Sequence, residues 1–188
     1  MNDTIPSVCV KGSILEKIIK NRVKSVFISI ALAILLSWIV LREIYPGGVD
    51  IYNAVIEENV AKIERYVAHK GRLDLSGLLT GVTPLCYALV HDKPESFKAL
   101  LENGASPNAF SRDGFSAVHL AARNDNPYWI NACLQHGADL HLLTSRGAIR
   151  GSRVTPFGYA SYYDQFNNVS IMAKSGMDMN APVDEHGN

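Results

Sequence analysis

The stretch DGFSAVHLAARNDNPYWINACLQHGADLH, residues 113–141, decides how the whole chain is read. It contains two apolar runs of helical length, interrupted at Asn124-Asp125-Asn126-Pro127 and closed by Gly137. Asn124-Asp125-Asn126-Pro127 reads as a short break between two helices. Gly137 suits the residue just past a helix end, which takes the left-handed backbone region. The stretch therefore predicts one helix–turn–helix unit.

Working outward, the same punctuation returns. Gly71, Gly104 and Gly137 are spaced 33 and 33 apart, and Gly176 follows 39 later, in the contexts AHKGRLDL, LENGASPN, LQHGADLH and AKSGMDMN. Upstream of the last three glycines, by 21 residues each time, stand Thr83-Pro84-Leu85, Ser116-Ala117-Val118 and Thr155-Pro156-Phe157. Because that distance is constant, the six extra residues of the last interval fall between Gly137 and Thr155, where the chain reads LLTSRGAIRGS. A fixed period of this length marks a stacked repeat architecture. In each unit Thr83 or Thr155 is expected to cap a first helix that opens on proline. Ala88, Ala121, Ala122 and Ala160 then allow close packing, and a second amphipathic helix ends at Gly104, Gly137 or Gly176. Residues 108–114 and 140–154 are expected to form turns that project from the stack.

At these residues the chain resembles the ankyrin-repeat family, in GVTPLCYA with ALLENGASPN, in DGFSAVHLAA with CLQHGADLH, and in RVTPFGYA with SGMDMN. The resemblance covers residues 48–188 and implies an all-α ankyrin-repeat solenoid of about four helix–turn–helix repeats. The first unit, DIYNAVIEENVAKIERYVAHKG, lacks the Thr-Pro pair and is one residue longer between Ala54 and Gly71, as a capping repeat with a more polar outer face would be. Ala117 replaces the family's proline and Gly158 its histidine. The final Asp184-Glu185-His186-Gly187-Asn188 reads as the opening of an uncompleted turn, so the C-terminal edge of the core is expected to be thinly capped.

Ahead of the repeats, residues 25–41 (SVFISIALAILLSWIVL) carry no charge, glycine or proline. As a helix they would extend about 26 Å, close to the ~30 Å of a bilayer core, with Lys24 snorkelling at one end and Trp38 near the far interface. The alternatives are a buried core helix or the apolar part of a cleaved signal peptide. Cleavage is disfavoured by the following Arg42-Glu43-Ile44-Tyr45-Pro46, which offers no small-x-small site. Residues 1–41 hold five bases and two acids, and the remainder 13 bases and 16 acids. All five bases precede the apolar run, so the positive-inside rule assigns residues 1–24 to a basic cytoplasmic tail and the chain beyond a linker, 42–47, to the periplasm or the cell exterior of a single-pass membrane protein.

Lys and Arg together number 18, equal to Asp and Glu, and 47% of residues are hydrophobic. That balance argues against a nucleic-acid partner and against disorder. No metalloprotease, nucleophile-elbow or phosphate-loop motif occurs, so no enzyme, cofactor, metal site or small-molecule substrate is expected. His119 occupies the family's Thr-Pro-Leu-His position, whose imidazole bonds within the repeat turns, and His136 and His141 flank Gly137 as turn residues. Three cysteines without metal spacing predict buried free thiols at Cys86 and Cys133, with Cys9 separated from them by the apolar run. The Asn168-Val169-Ser170 sequon is read as coincidence.

The resemblance implies a protein partner, bound by turn tips and first-helix residues. In the repeat register these are Leu79, Val82, Val90 and His91, then Arg112, Phe115, Arg123 and Asn124, then Val154, Tyr162 and Tyr163. Phe115, Arg112, Arg123, Tyr162 and Tyr163 are of the types enriched among interface anchors, although Tyr162 and Phe166 would also suit packing on the end of the stack. The insertion adds Arg146 and Arg150, with Arg153 beyond, as a basic finger for acidic groups or lipid headgroups, or as a solvated long turn. In its anchor and repeats the architecture resembles membrane-anchored ankyrin-repeat immunity proteins of interbacterial competition, paired with phospholipase effectors of type VI secretion. That implies a secreted toxic hydrolase as partner. The other reading is a periplasmic scaffold or regulatory partner of a resident enzyme.

Overall fold

A computed structural model describes residues 10–44, 50–178, 182–184, 186 and 187. Cys9, residues 45–47 of the 42–47 linker, Glu185 and Asn188 lie outside the described residues. The chain divides into two compact units, residues 1–44 and 45–188.

The first unit contains one helix, α1 (Val10–Ile44). Within it Ile19–Leu41 has a mean hydropathy of 2.3 and no buried side chain, so α1 is long and apolar enough to cross a membrane. The helix runs past the seventeen-residue apolar run at both ends, placing Lys20, Arg22 and Lys24 on it.

The second unit stacks four helix pairs: α2 (Ile51–Ile56) with α3 (Val60–Ala68), α4 (Pro84–Val90) with α5 (Pro94–Glu102), α6 (Ala117–Arg123) with α7 (Pro127–Gln135), and α8 (Pro156–Tyr162) with α9 (Phe166–Lys174). Their starts follow from side-chain chemistry. Thr83 Oγ1 accepts from the Cys86 N–H at 3.2 Å and Thr155 Oγ1 from the Gly158 N–H at 3.2 Å, while Asp50 caps α2, which has no Thr-Pro pair. Their ends follow from backbone geometry. Gly104, Gly137 and Gly176 take φ of 89°, 79° and 91°, and the Ala105 N–H closes on the Leu100 carbonyl at 2.9 Å. In the first repeat Lys70 (φ 61°) holds that left-handed position, one residue before Gly71. Gly71 is kept free of a side chain by the Tyr66 ring, which lies where a Cβ would stand. Lys70 is therefore the counterpart of Gly104, and the extra residue of the first unit falls in the turn between Lys70 and Thr83.

One core runs through the stack from Ile51 to Met177, built from side chains of the second unit. Phe97 meets Trp129 edge-on at 5.0 Å, joining the second helices of consecutive repeats. Cys86 and Cys133 are buried free thiols, and burial pushes both upward in pKa, which keeps them protonated and unreactive. His119 is fully buried. Its Nε2 lies 3.0 Å from the Leu142 carbonyl and 3.2 Å from that of Val154, and Ser116 Oγ lies 2.8 Å from Nδ1. The ring therefore donates from Nε2 and accepts the Ser116 hydroxyl at Nδ1, which explains why Ser116 makes no capping bond to α6.

In the fourth repeat the same register position is Gly158, and the reason is steric. A Cβ there would stand 2.6 Å from the Val183 carbonyl oxygen. That carbonyl accepts from the Thr155 N–H at 2.9 Å and Thr155 Oγ1 at 3.2 Å, and Asp184 pairs with Val154. The C-terminal segment thus covers the turn that His119 spans in the preceding repeat. The final edge is better covered than the sequence suggested, although Phe166 stays 74% exposed.

Candidate interaction surface

The first helices of successive repeats end on equivalent residues. Val90, Arg123 and Tyr162 share one register position, and His91, Asn124 and Tyr163 the next. Val90 and Tyr162 are 61% and 51% exposed, and Arg123 is also exposed. Between the ends of α4 and α6 lies a groove of about 350 Å³ lined by Leu89, Val90, Leu120, Arg123, Asn124 and Asp125. The α6 end is fixed from behind by Asn168 and in front by Gln165, whose Nε2 donates to Asp125 Oδ1 at 2.7 Å.

Arg123 organises the surface beyond the groove. Its guanidinium carbon lies 5.4 Å from the Tyr163 ring centre and 5.9 Å from that of Tyr159. Tyr159 in turn stacks on Phe115 at 5.2 Å and meets Tyr163 edge-on at 5.1 Å, and Tyr162 meets Tyr163 at 5.2 Å. Burial raises the Tyr159 phenol in pKa against the opposing pull of Arg123, so that ring presents a neutral face to the cation at physiological pH. A second aromatic set stands in the first two repeats, where Tyr87 meets Tyr52 edge-on at 5.1 Å and His91 at 4.3 Å. An exposed cation thus lies over aromatic faces beside a groove of mixed polarity.

Several sequence-derived positions gather here: Val90, His91, Arg123, Asn124, Tyr162 and Tyr163. Phe115 is half-buried against Tyr159, so it supports the cluster from beneath. Two expectations of exposure need correction. Val154 is 4% exposed, because it bridges Asp184 and its carbonyl faces His119. Val82 is half-buried against the core, and its carbonyl accepts the Tyr52 hydroxyl at 2.7 Å. Tyr162 and Phe166 do not pack on the end of the stack, since both are exposed. Leu79 and Arg112 lie at turn tips rather than in the groove, as do Arg146 and Arg150 in the insertion. The insertion itself is a tight hairpin. Arg150 (φ 49°) and Gly151 (φ 86°) form its two-residue turn between Ile149 and Ser152, the positive-φ pair that such hairpins require. Tyr159, Leu89, Leu120 and Asp125 were missed by the sequence register; Tyr159 was findable, because it occupies the position of Tyr87 and Leu120.

A family model for ankyrin repeats (3 copies) matches residues 51–144. Among curated proteins, Protein PhlB of Serratia liquefaciens is 32% identical over 97 residues, 52% of this chain and 40% of its own length. A B-cell lymphoma 3 protein homolog of Mus musculus is 30% identical over 92 residues, 47% of this chain and 20% of its own. This chain therefore spans less than half the length of either relative. Among solved structures, the ankyrin repeat domain of Bcl-3 superposes with a TM-score of 0.60 at 26% identity, covering 72% of this chain and 60% of that one.

Proposed function

Since this chain belongs to the ankyrin-repeat family, a family of protein-interaction scaffolds, we propose that it is a binding module tethered to a bacterial inner membrane by α1, with its N-terminus cytoplasmic and its repeats periplasmic. Its partner is a secreted toxic hydrolase of the lipase or phospholipase type, which it neutralises as an immunity protein. The observation that carries the binding surface is the seat of Arg123 on Tyr159 and Tyr163, beside an open groove. Tethering supports the reading of inhibition, because it raises the inhibitor's local concentration at the surface where a lipid hydrolase works. The stack then covers or distorts the hydrolase's active site. Positive charge ahead of the apolar run supports the orientation.

The test has two arms. Reporter enzymes fused after Asn188 report the orientation: an active periplasmic reporter supports it, and an active cytoplasmic one opposes it. The immunity reading expects a secreted lipase-like protein to be encoded beside this gene; residues 45–188 are then mixed with that protein, with Arg123→Ala/Tyr162→Ala as the matched control. Loss of lipid hydrolysis with the parent and not with the double variant supports the immunity reading. Retention of a resident periplasmic enzyme with unchanged or raised activity identifies the chain as a scaffold instead.

A further inference from the structure

The turn tips form a second surface, apart from the groove. Leu78 and Leu79 are 76% and 97% exposed, and Leu75 is 47% exposed. The turn bearing them is held fast: the Gly77 N–H donates to the Val82 carbonyl at 3.0 Å and the Gly81 N–H to that of Gly77 at 3.0 Å. From the next turn the Arg112 N–H donates to the Gly81 carbonyl at 2.9 Å, and Arg112 Nη1 to the Leu78 carbonyl at 3.0 Å. The third turn joins in the same way. The Ser145 N–H donates to the Gly114 carbonyl at 3.0 Å, and a Cβ on Gly114 would stand 2.9 Å from that of Arg146. Three turns are thus locked edge to edge into a ridge, with leucines at one end and exposed Arg112, Arg146 and Arg150 along the rest. The acids nearby are Asp113, whose Oδ1 accepts the Phe115 N–H at 3.1 Å, and Asp74 beside Leu75, whose Oδ1 accepts the Ser106 N–H at 2.8 Å.

We propose that this ridge docks on an anionic lipid bilayer, with Leu78 and Leu79 entering the boundary between headgroups and acyl chains while Arg112, Arg146 and Arg150 meet lipid phosphates. Three features favour lipid over a protein partner. The leucines protrude, and protruding apolar side chains need a matched pocket on a protein but none in a yielding interface. The arginines beside them complement an anionic surface. The sequence also leaves only residues 45–50 between α1 and α2, a tether of at most about 25 Å. Whichever way the two units are turned, a bilayer crossed by α1 is within the repeats' reach. The inference rests on the membrane-tethered reading for that nearness alone.

The repeats have their own core, so residues 45–188 without α1 separate this inference from the tethering. Their co-sedimentation is measured with vesicles of phosphatidylcholine and with vesicles containing 30% phosphatidylglycerol. At least tenfold stronger partition onto the anionic vesicles is expected, weakened by 0.5 M salt. Leu78→Ser/Leu79→Ser and Arg146→Glu/Arg150→Glu are each expected to reduce it tenfold or more. Circular dichroism checks that both variants remain folded, as changes at exposed side chains allow. Equal partition onto the two vesicle types, absence of binding to either, or variants that bind like the parent would overturn the proposal. So would ridge variants that lose inhibition of a purified protein partner while lipid binding is unchanged.

Discussion

Asn168 in α9 donates from Nδ2 to the backbone carbonyl of Asn124, 44 positions earlier, at 2.7 Å. The same amide group reaches the Ala121 and Ala122 carbonyls at 3.2 and 2.9 Å. Its two N–H groups are therefore shared among the C-terminal carbonyls of α6 from the following repeat, at a side chain 1% exposed. Ser96 does the same in the first half of the stack, donating from Oγ to the Val55 carbonyl at 2.9 Å. The sequon's asparagine is thus an inter-repeat staple, buried in the folded protein although Ser170 is exposed.

Asn168→Ala is expected to destabilise the repeats by about 2–4 kcal/mol, since it leaves buried carbonyls unpaired and opens a cavity. Ser96→Ala, which removes one bond and little volume, should cost about 1 kcal/mol. Urea titration of residues 45–188 compares them. Equal midpoints for both variants and the parent would refute the staple.

Those two residues show where sequence reading stops. Thr83, Thr155, Gly104 and Gly137 were legible because caps and helix ends are local, needing only neighbours within four residues. Asn168 was not, because its role depends on a partner 44 residues away. Val154 failed for the same reason: its burial comes from Asp184 folding back, which no repeat register contains. Within the surface, Arg123 and Tyr162 were legible as exposed register positions. The seating of Arg123 on Tyr159 and Tyr163 arises from packing across two repeats.

His119 makes stability depend on pH. Burial lowers its pKa from 6.5 to about 4, so between those values the unfolded chain binds a proton that the folded one refuses. Stability from this group is complete above about pH 6.5 and falls as pH drops, with about 3 kcal/mol lost by pH 4. Denaturation midpoints measured from pH 7 to pH 4 should show that slope. His119→Gln should flatten it, and an unchanged slope in that variant would assign it to other groups.

Gly158→Ala forces a Cβ onto the Val183 carbonyl and should displace the C-terminal segment from Thr155, at a cost of about 1–3 kcal/mol. Limited proteolysis should then cut residues 182–188 faster than in the parent. Unchanged cleavage would mean that the segment does not cover this turn in solution.

Arg123→Ala should leave stability within about 1 kcal/mol of the parent, because an exposed cation–π contact is worth about that much. Its effect on partner binding should be far larger, tenfold or more, as expected of an interface anchor. Calorimetric titration alongside thermal melts separates the two. A fall in stability with no loss of affinity would make Arg123 a packing residue only.

The surface around Arg123 is proposed to capture and silence a lipid hydrolase. The decisive measurement is hydrolysis of phospholipid vesicles by the secreted phospholipase expected to be encoded beside this gene, during titration with residues 45–188. Activity should fall to background at one equivalent, and the titration should shift tenfold or more for Arg123→Ala/Tyr162→Ala. Undiminished hydrolysis in the presence of excess repeats would contradict it.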